Sequence, residues 1–375
     1  MSKKVLIVTA FYNYDYEIRV KYLEKYLKKK GYEYHIITSD FDHRNKRKYK
    51  VKREIVTQLS VPRYSANMSL KRIYSHYIFS KNIIIECEKY KPDIIYAITP
   101  PNFMFYYLKK YRNQHECYLV CEIEDLWPES LPISNNLKII VSPLLFLWSS
   151  IRNRNMKSID YIVYECNLFE RYLNKVTKSL GKTIYLSRDN SLKIREKKVI
   201  NNTIEYVYIG SVNNLIDNNE IVHILKSSSK KYDSVLHIIG GGEKLNELLD
   251  SCKLEGITAV NHGVIYDSDA KEEILRTCHL ALNIMKSTVC VGATMKSLEY
   301  FHYGLPIINN IKGDTTEIIN EYKCGVNLSE KSSIEDFIET IDEEIINYMS
   351  AQSRMVYEKL FSPESFENAI VDVII

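Results

Sequence analysis

The first half of the chain alternates short apolar runs with amphipathic stretches. "KVLIVTA" (residues 4–10) is almost continuously apolar, which predicts a strand covered on both faces. Residues 17–31 repeat apolar side chains at helical spacing, end in three lysines and close on Gly31, which predicts a helix with a glycine C-cap. Further strands are predicted at "YEYHIIT", "PDIIYAIT", "CYLVCEIE" and "IDYIVYE". This alternation predicts an α/β fold with a doubly wound parallel sheet.

The alternation stops at residues 181–203, which are polar and charged, and restarts with "IEYVYIGSV", "SVLHIIGGGE", "TAVNHGV", "HLALNIM" and "LPIINN". We therefore expect one Rossmann-like domain over residues 1–185, a linker over 186–203 and a second Rossmann-like domain over 204–345. Residues 346–375 are expected to be helical and to pack back on the first domain. Because open parallel sheets bind ligands beyond the carboxyl ends of their strands, we expect the two domains to face a central cleft.

Three loops that follow predicted strands in the second half carry glycine. They lie at Gly210 and Ser211, at Gly241, and at Gly263 and Val264. Glycine lets backbone amides approach an anion closely and adopts positive φ without strain. A tight turn between strand and helix is the alternative interpretation of any one loop. Three such loops in consecutive strand–helix units favour an anion site.

The stretch "VGATMKSLEYFHYGLPIINN" carries the most informative pattern. The small residues Gly292, Ala293 and Thr294 open a predicted helix whose free amides would bind an anion, and diphosphate is the common ligand of such sites. Lys296 on the first turn would reach the same anion. Glu299, one turn later, could accept hydrogen bonds from a ribose diol. A nucleotide site is one interpretation, and a surface Lys–Glu pair at i,i+3 spacing is the other.

Composition sets bounds on the class of protein. A chain of 375 residues is longer than a single hydrophobic core usually supports, so we expect two domains. A composition of 45% hydrophobic and 26% charged residues is typical of a folded globular protein. A formal net charge of +4 is too small to indicate a nucleic-acid binder. The eight cysteines include no CxxC pair, which disfavours a zinc site or a disulfide framework and favours a reducing cytoplasm. The longest apolar run has 13 residues, too few to span a bilayer.

Taken together, these motifs resemble those of the retaining GT-B glycosyltransferases of family four, which transfer sugars from nucleotide donors. The donor motif of that family is matched at Lys296, Glu299, Tyr300, Gly304 and Pro306. "YIGSV", "LHIIGGGE" and "NHGV" match the glycine landmarks upstream of it, in the right order. "EDLWPESLP" resembles the acceptor half of members that build bacterial surface polysaccharides. The resemblance covers nearly the whole chain.

The resemblance implies a GT-B fold and sugar transfer from a nucleotide-sugar donor, with UDP expected, to a glycan or lipid-linked acceptor. It implies retention at the anomeric carbon and no metal or other cofactor. Lys296 and the helix start near Gly292 would hold the leaving diphosphate, and Glu299 would position the donor. Glu124 and Asp125 follow a buried strand and would orient or deprotonate the acceptor hydroxyl. A helix N-cap or a loop carboxylate is the alternative role for Asp125.

Other features of the sequence leave two interpretations each. "MFYYLKKYR" and "PLLFLWSSIRNRNMK" mix aromatic and basic residues, which suits either contact with anionic headgroups at the inner face of the membrane or core helices with a solvated basic face. His262 and His279 are expected to be structural, and Asp314 to Glu317 predict a capping box.

Two departures from the family pattern keep other functions open. Val291 stands where many members carry a second acidic residue, and no basic residue closely follows Gly210. A non-catalytic subunit that stabilises a partner transferase is therefore one alternative. A nucleotide-sugar epimerase is another, since such enzymes can share the architecture but release a free sugar with no acceptor added.

Overall fold

A computed structural model describes residues 2–12, 18–131, 133, 135–175, 180–189, 198–287, 289, 291–329 and 333–375. The chain divides into two compact units. The first consists of residues 1–187 and 366–375, and the second of residues 188–365.

The first unit alternates strands and helices along the chain. Its elements are β1 (Lys4–Thr9), α1 (Arg19–Lys30), β2 (Glu33–Ser39), β3 (Phe41–Asp42), β4 (Arg47–Lys48), β5 (Val56–Leu59), α2 (Leu70–Tyr90), β6 (Ile94–Thr99), α3 (Phe103–Arg112), β7 (Tyr118–Ile123), α4 (Asn135–Met156), β8 (Tyr161–Tyr164), α5 (Asn167–Asn174) and β9 (Gly181–Thr183).

Seven of these strands form one parallel sheet in the order β5-β2-β1-β6-β7-β8-β9, and β3 and β4 form a small antiparallel hairpin. The sheet is buried on both faces. In β1, Leu6 and Val8 pack in one apolar cluster, while Val5 and Ile7 pack in the other. This arrangement explains the continuous apolar run of the strand, and it confirms the predicted doubly wound parallel sheet.

Helix α1 ends as its sequence predicts. Gly31 adopts φ 74°, and its amide bonds to the carbonyls of Leu27 and Lys28. Lysines 28–30 form the last turn, where they complement the helix dipole. The predicted start of this helix at Glu17 lies outside the described residues.

A buried ion pair connects the helix layer to this sheet. Arg19, at the start of α1, bonds through Nε to Glu122 of β7, and both side chains are at most 1% exposed. Tyr96 of β6 donates to the other oxygen of Glu122 at 2.7 Å, and the Arg19 guanidinium also donates to the carbonyls of Ile184 and Tyr185. The pair therefore fixes α1 against two strands and the chain segment after β9.

The second unit repeats the alternation with a shorter sheet. Its elements are β10 (Thr203–Ile209), α6 (Asn218–Ser228), β11 (Asp233–Ile239), α7 (Leu245–Leu254), β12 (Thr258–Asn261), α8 (Ser268–Thr277), β13 (Leu280–Asn283), α9 (Met295–His302), β14 (Ile307–Asn309), α10 (Asp314–Tyr322), β15 (Gly325–Asn327), α11 (Ile334–Thr340), α12 (Glu343–Val356) and the π-helical turn η1 (Tyr357–Phe361). The last helix of the chain, α13 (Pro363–Ile370), begins in this unit and ends in the first.

The six strands of the second sheet are all parallel, in the order β12-β11-β10-β13-β14-β15. The order reverses between β10 and β13, which is the switch point where open α/β sheets bind their ligands. The loops after β10, β11, β12 and β13 lie at this carboxyl edge.

The structure adds one strand just before the segment predicted to be a linker. Within residues 181–203, β9 pairs with β8 as an edge strand, and three residues are too few for a periodic pattern to reveal. Residues 190–197 lie outside the described residues, so that part of the linker prediction stays a prediction. No helix in the described part of the chain is both long and apolar enough to cross a membrane.

We expect Glu122→Gln to lower the free energy of unfolding of the first unit by about 3 kcal/mol, because it leaves the Arg19 guanidinium buried without its counter-charge. The readout is urea unfolding followed by tryptophan fluorescence, since both tryptophans, Trp127 and Trp148, lie in this unit. Lys29→Met is the matched control. It breaks the solvent-exposed pair with Glu367 and should cost less than about 1 kcal/mol. Equal unfolding midpoints for the two variants would contradict this account of the ion pair.

Candidate functional site

The loop after β13 leads into the N-terminus of α9, and hydrogen bonds fix its geometry. Thr294 is the N-cap: its hydroxyl accepts from the Ser297 amide at 2.9 Å, and its own amide donates to the Ser297 hydroxyl at 3.1 Å. The Thr294 hydroxyl also donates to Asn283 Oδ1 at 3.0 Å. The amides of Met295 and Lys296 precede the first helical hydrogen bond, so the positive end of α9 is directed at the loop.

A buried polar network holds this loop from below. The Gly292 carbonyl accepts from the Thr315 amide at 3.2 Å. Asn283 donates to Asn309 at 2.9 Å, which joins β13 to β14. A Cβ atom on Gly313 would lie 3.2 Å from the Gly292 Cα, so the two loops are in close contact. Both polar groups of Thr294, predicted to bind the donor, are used within the helix cap, and this residue therefore positions the loop.

Lys296 is partly buried, and its ammonium group lies against an aromatic side chain. Its Nζ donates to the Tyr208 hydroxyl at 3.1 Å and lies 4.5 Å from the centre of that ring. Within the described residues, no carboxylate lies within ion-pair distance of it. Burial lowers the pKa of Lys296 to about 8. The alternative of a surface pair with Glu299 is wrong, because these two side chains bind different partners.

The Gly210 loop lies against Lys296. Gly210 adopts φ 118°, and a Cβ atom there would lie 3.6 Å from the Lys296 Cδ. A Cβ atom on Gly240 would meet the Gly210 carbonyl oxygen at 2.0 Å, so only glycine allows these loops to approach so closely. Tyr208 donates to the Ser211 carbonyl at 3.0 Å, while the Ser211 side chain is exposed.

The third glycine loop lies next to the second. A Cβ atom on Gly241 would be 3.7 Å from the Val264 side chain, which is exposed. Gly263 adopts φ 69°, and its amide donates to Asn261 Oδ1 at 2.9 Å. The structure thus brings together the residues predicted from separate loops: Gly210 beside Lys296, and Gly241 beside Val264.

Glu299 is held by two cations. Lys271 of α8 donates to Oε1 at 2.7 Å, and the Arg188 guanidinium lies 3.3 Å from the same oxygen. The second oxygen, Oε2, makes no hydrogen bond with the described residues. Arg188 is itself fixed, because its carbonyl accepts from the Tyr357 hydroxyl at 2.6 Å and its amide donates to the Phe361 carbonyl at 3.0 Å. One carboxylate oxygen of Glu299 is therefore anchored and the other is left for a ligand.

Tyr300 fixes α9 to the sheet. Its hydroxyl accepts from the Ile209 amide at 2.9 Å and donates to the Leu282 carbonyl at 3.1 Å. These two backbone groups belong to the ends of β10 and β13, on either side of the switch point.

The first unit carries two carboxylates after β7, and they act in different places. Asp125 accepts from the Ser130 hydroxyl at 3.0 Å, and burial raises its pKa despite the nearby charge of Arg72. No helix follows Asp125 directly, since α4 begins at Asn135, so Asp125 is not a helix N-cap. The charge of Glu124 acts instead on Arg19, beneath the sheet edge. Of the two, Asp125 is the better candidate for acid–base chemistry.

Residues 191–359, which include most of this site, match the family described as glycosyl transferases group 1. The matched segment lies within the second unit. The match spans 169 of 375 residues, and it includes the α9 motif and all three glycine loops. No curated protein matches the chain.

Solved structures show the same fold over the whole chain. Sucrose-phosphate synthase from Thermosynechococcus elongatus aligns with a TM-score of 0.70 at 11% identity, over 99% of this chain and 98% of its own. HepE from Anabaena, in complex with UDP and glucose, gives 0.62 at 15% identity over 99% of both chains. WaaG, a glycosyltransferase involved in lipopolysaccharide biosynthesis, gives 0.63 at 12% identity over 98% and 99%. The chain has the GT-B fold, and together with the family match these structures support a transferase.

The amino-acid sequence alone did not predict several residues of this candidate site. Lys271 and Arg188 come from distant parts of the chain, and no local pattern marks them. Tyr208 gives a weak signal as a polar-tipped aromatic residue directly before a glycine loop. The capping box predicted at Asp314–Glu317 is wrong, since Gly313 is the N-cap of α10 and makes no side-chain cap. The capping box lies at Thr294 and Ser297.

We expect Lys296→Met to raise the free energy of unfolding of the unliganded transferase by roughly 1–3 kcal/mol near pH 7, because it removes a buried charge. Lys296 has a pKa of about 8 in the folded chain and 10.5 as its ordinary value. Between these values the unfolded chain binds more protons, so the wild type gains stability as the pH rises. The difference between the two proteins should therefore shrink from pH 7 to about pH 9.5.

The measurement is urea unfolding followed by circular dichroism at both pH values. Lys312→Met removes an exposed lysine of the same unit and should change stability by less than about 0.5 kcal/mol at either pH. A less stable Lys296→Met protein at pH 7 would show that the ammonium group has a counter-charge in solution.

Proposed function

We propose that the protein is a retaining, metal-independent glycosyltransferase that moves a sugar from a UDP-sugar to a glycan or lipid-linked acceptor of a bacterial surface polysaccharide. The observation that carries this proposal is the partly buried ammonium of Lys296 at the N-terminus of α9, which has no carboxylate within ion-pair distance among the described residues. A buried cation that has no protein counter-ion is stabilised by an anionic ligand. A nucleoside diphosphate supplies such an anion together with a ribose.

The diphosphate would bind at the start of α9. The amides of Gly292, Ala293, Met295 and Lys296 and the ammonium of Lys296 would surround its oxygens. During transfer, the acceptor oxygen forms a bond to the anomeric carbon while the bond from that carbon to the phosphate oxygen breaks. The electron pair stays with the diphosphate. Preorganised amides and one desolvated cation favour this developing charge, commonly the largest contribution to such a rate.

The ribose would bind to Glu299. Its Oε1 is held by Lys271 and Arg188, and its Oε2 is available to a diol. Lys296 and Glu299 lie about one helical turn apart, in the same order as the phosphate and the ribose of a nucleotide. The loops at Gly210, Gly241 and Val264 would pass beside the same ligand. UDP is the preferred nucleotide because it is bound in the similar structures of HepE and of TarM from S. aureus.

Asp125 would act on the acceptor hydroxyl in the first unit. Its raised pKa, which burial causes, makes it a stronger base than an exposed aspartate and suits it to accept a proton. Glu124 was expected to share this role, but its charge acts on Arg19. We therefore assign the base to Asp125 alone.

A lipid-linked acceptor fits the surface of α4. Its apolar side chains Ile139, Ile140, Phe146 and Leu147 are each more than half exposed. The exposed Arg154 lies in the last turn of the same helix, as expected of peripheral contact with the inner, anionic face of a membrane. WaaG, one of the similar structures, acts in lipopolysaccharide biosynthesis.

We expect UDP to bind the full chain more tightly than GDP, ADP, CMP or dTDP in isothermal titration calorimetry. Glu299→Gln should weaken UDP binding by roughly tenfold to a hundredfold, the value of one or two hydrogen bonds to a charged group. Because a bound diphosphate favours protonated Lys296, wild-type affinity should fall as the pH rises through about 8.

The control is Glu321→Gln, which removes the same charge from an exposed position of the second unit. Loss of affinity in both variants would show a general charge effect and no ribose contact. If no nucleotide binds to the wild type, the proposed donor site is refuted, and a non-catalytic subunit becomes the better explanation of the protein's function.

We expect Asp125→Asn to lower turnover by about 10²–10⁴-fold and to leave UDP affinity unchanged, because a general base acts on the acceptor and not on the donor. Glu124→Gln should change turnover by less than about threefold. Turnover is followed by UDP release with a saccharide acceptor mixture, and the anomeric configuration of the product is read by NMR. Release of a free epimerised sugar without acceptor would replace the transferase with an epimerase.

A further inference from the structure

A second buried cation lies in the first unit, far along the sequence from the donor motif. Arg72 stands in the first turn of α2 and is 8% exposed. Its Nε contacts His76 Nε2 at 3.4 Å, and its Nη1 donates to the Asn67 carbonyl at 2.9 Å. The guanidinium carbon lies 4.1 Å from the centre of the Trp127 ring. In the described part of the chain, no carboxylate lies within ion-pair distance of Arg72.

Other basic groups approach Arg72 from the turn between β3 and β4. The Lys46 ammonium lies 3.4 Å from His43 Nδ1 and 5.2 Å from the Tyr64 ring centre, and Arg72 lies 5.9 Å from the same ring. His76 stacks on Trp127 with ring centres 5.8 Å apart. Burial first, and then the charges of Arg72 and Lys46, lower the pKa of His43 to about 4.

Two carboxylates lie near this cluster, and the charge of Asp125 acts on Arg72 from beyond ion-pair distance. Asp42 accepts from the amides of Arg44 and Asn45 within its own turn. Asp125 accepts from Ser130. The cluster also contains the charges of Arg72, Lys46 and Arg44, and it lies at the carboxyl edge of the first sheet, where open α/β sheets bind ligands.

A pocket opens beside Arg72, and its walls are mostly apolar. Arg72, His76, Asn67 and Ser69 supply the polar part of the lining, and the rest comes from the following residues: Met68, Ile73, Trp127, Leu131 and Trp148. A phosphoryl group would match the planar, doubly donating face of a guanidinium. A neutral sugar would leave the buried charge of Arg72 uncompensated.

We infer that this pocket binds a phosphoryl group of the acceptor, with Arg72 as its main ligand and the Trp127–Trp148 wall against the moiety attached to the phosphate. The inference rests on the proposed function, since it names the acceptor class of the same enzyme. Two sources share this chemistry: a lipid diphosphate, whose chain would lie on the apolar wall, and a water-soluble sugar phosphate.

Tryptophan fluorescence tests this pocket directly, because the two tryptophans of the chain both line it. The full chain is titrated with inorganic diphosphate, farnesyl diphosphate and glucose 1-phosphate. We expect a saturable change in the wild type and at least tenfold weaker binding in Arg72→Gln. Arg72→Lys keeps the positive charge but loses the two parallel donors of the guanidinium, and its affinity should lie between those of the wild type and Arg72→Gln. Arg63→Gln removes an exposed arginine of the same unit and should bind as the wild type does.

The two ligand sources are separated by the probes. Farnesyl diphosphate binding at least tenfold tighter than inorganic diphosphate indicates a lipid-linked acceptor. Equal affinities, or preference for glucose 1-phosphate, indicate a soluble one. A flat fluorescence signal in the wild type, or equal affinity in Arg72→Gln and the wild type, overturns the inference.

UDP binding is measured calorimetrically on the same proteins and separates the two proposals. If Arg72→Gln binds UDP as tightly as the wild type, the variant is folded and its lost response belongs to this pocket. Binding of UDP with no fluorescence response refutes the phosphoryl pocket alone. A fluorescence response without UDP binding refutes the proposed donor site and leaves the pocket standing.

Discussion

The geometry of the second unit depends on the hydroxyl of Tyr300. This group accepts from the Ile209 amide and donates to the Leu282 carbonyl, so it joins α9 to the ends of the two strands that flank the switch point. Lys296 lies four residues earlier on the same helix, and Gly210 follows Ile209 directly. One buried hydroxyl therefore sets the position of the lysine relative to the glycine loop, and without it two strand ends would carry unpaired backbone groups in the core.

Each unit contains a partly or fully buried cation that, among the described residues, has no carboxylate within ion-pair distance. Lys296 in the second unit rests on the Tyr208 ring, and Arg72 in the first rests on Trp127. The aromatic faces offset part of the desolvation cost but not all of it. The Arg19–Glu122 pair shows the alternative, since a buried cation with a structural role carries its counter-charge within the protein. Arg19 is therefore a cation that stabilises the fold, whereas Lys296 and Arg72 are cations that we propose bind an anionic ligand.

The sequence was sufficient for the architecture because burial on both faces leaves a continuous apolar run such as that of β1, and because Gly31 marks where α1 ends. It also predicted that Lys296 and Glu299 share a helix start. It could not assign their partners, since Lys271, Arg188 and Tyr208 reach the site only through the fold. Arg72 was missed for the same reason. Its lack of an ion pair depends on the positions of Asp42 and Asp125 in the fold, and the spacing of residues along the sequence does not reveal those positions.

The cap of α9 shows how such a site can stay open. Thr294 and Ser297 satisfy each other and the core residue Asn283, so the helix start needs no ligand to keep its shape. Among the described residues, the ammonium of Lys296 has only the Tyr208 hydroxyl as a hydrogen-bond partner, and below pH 8 the empty site holds a charge in a poorly solvated position. The cap and the charge have complementary effects. The hydrogen-bonded cap prevents the loop from moving inward to neutralise Lys296. The ammonium charge makes the protein without a bound anion less stable than the protein with one. An entering diphosphate then meets donors that are already in place, and relief of the buried charge contributes to its affinity.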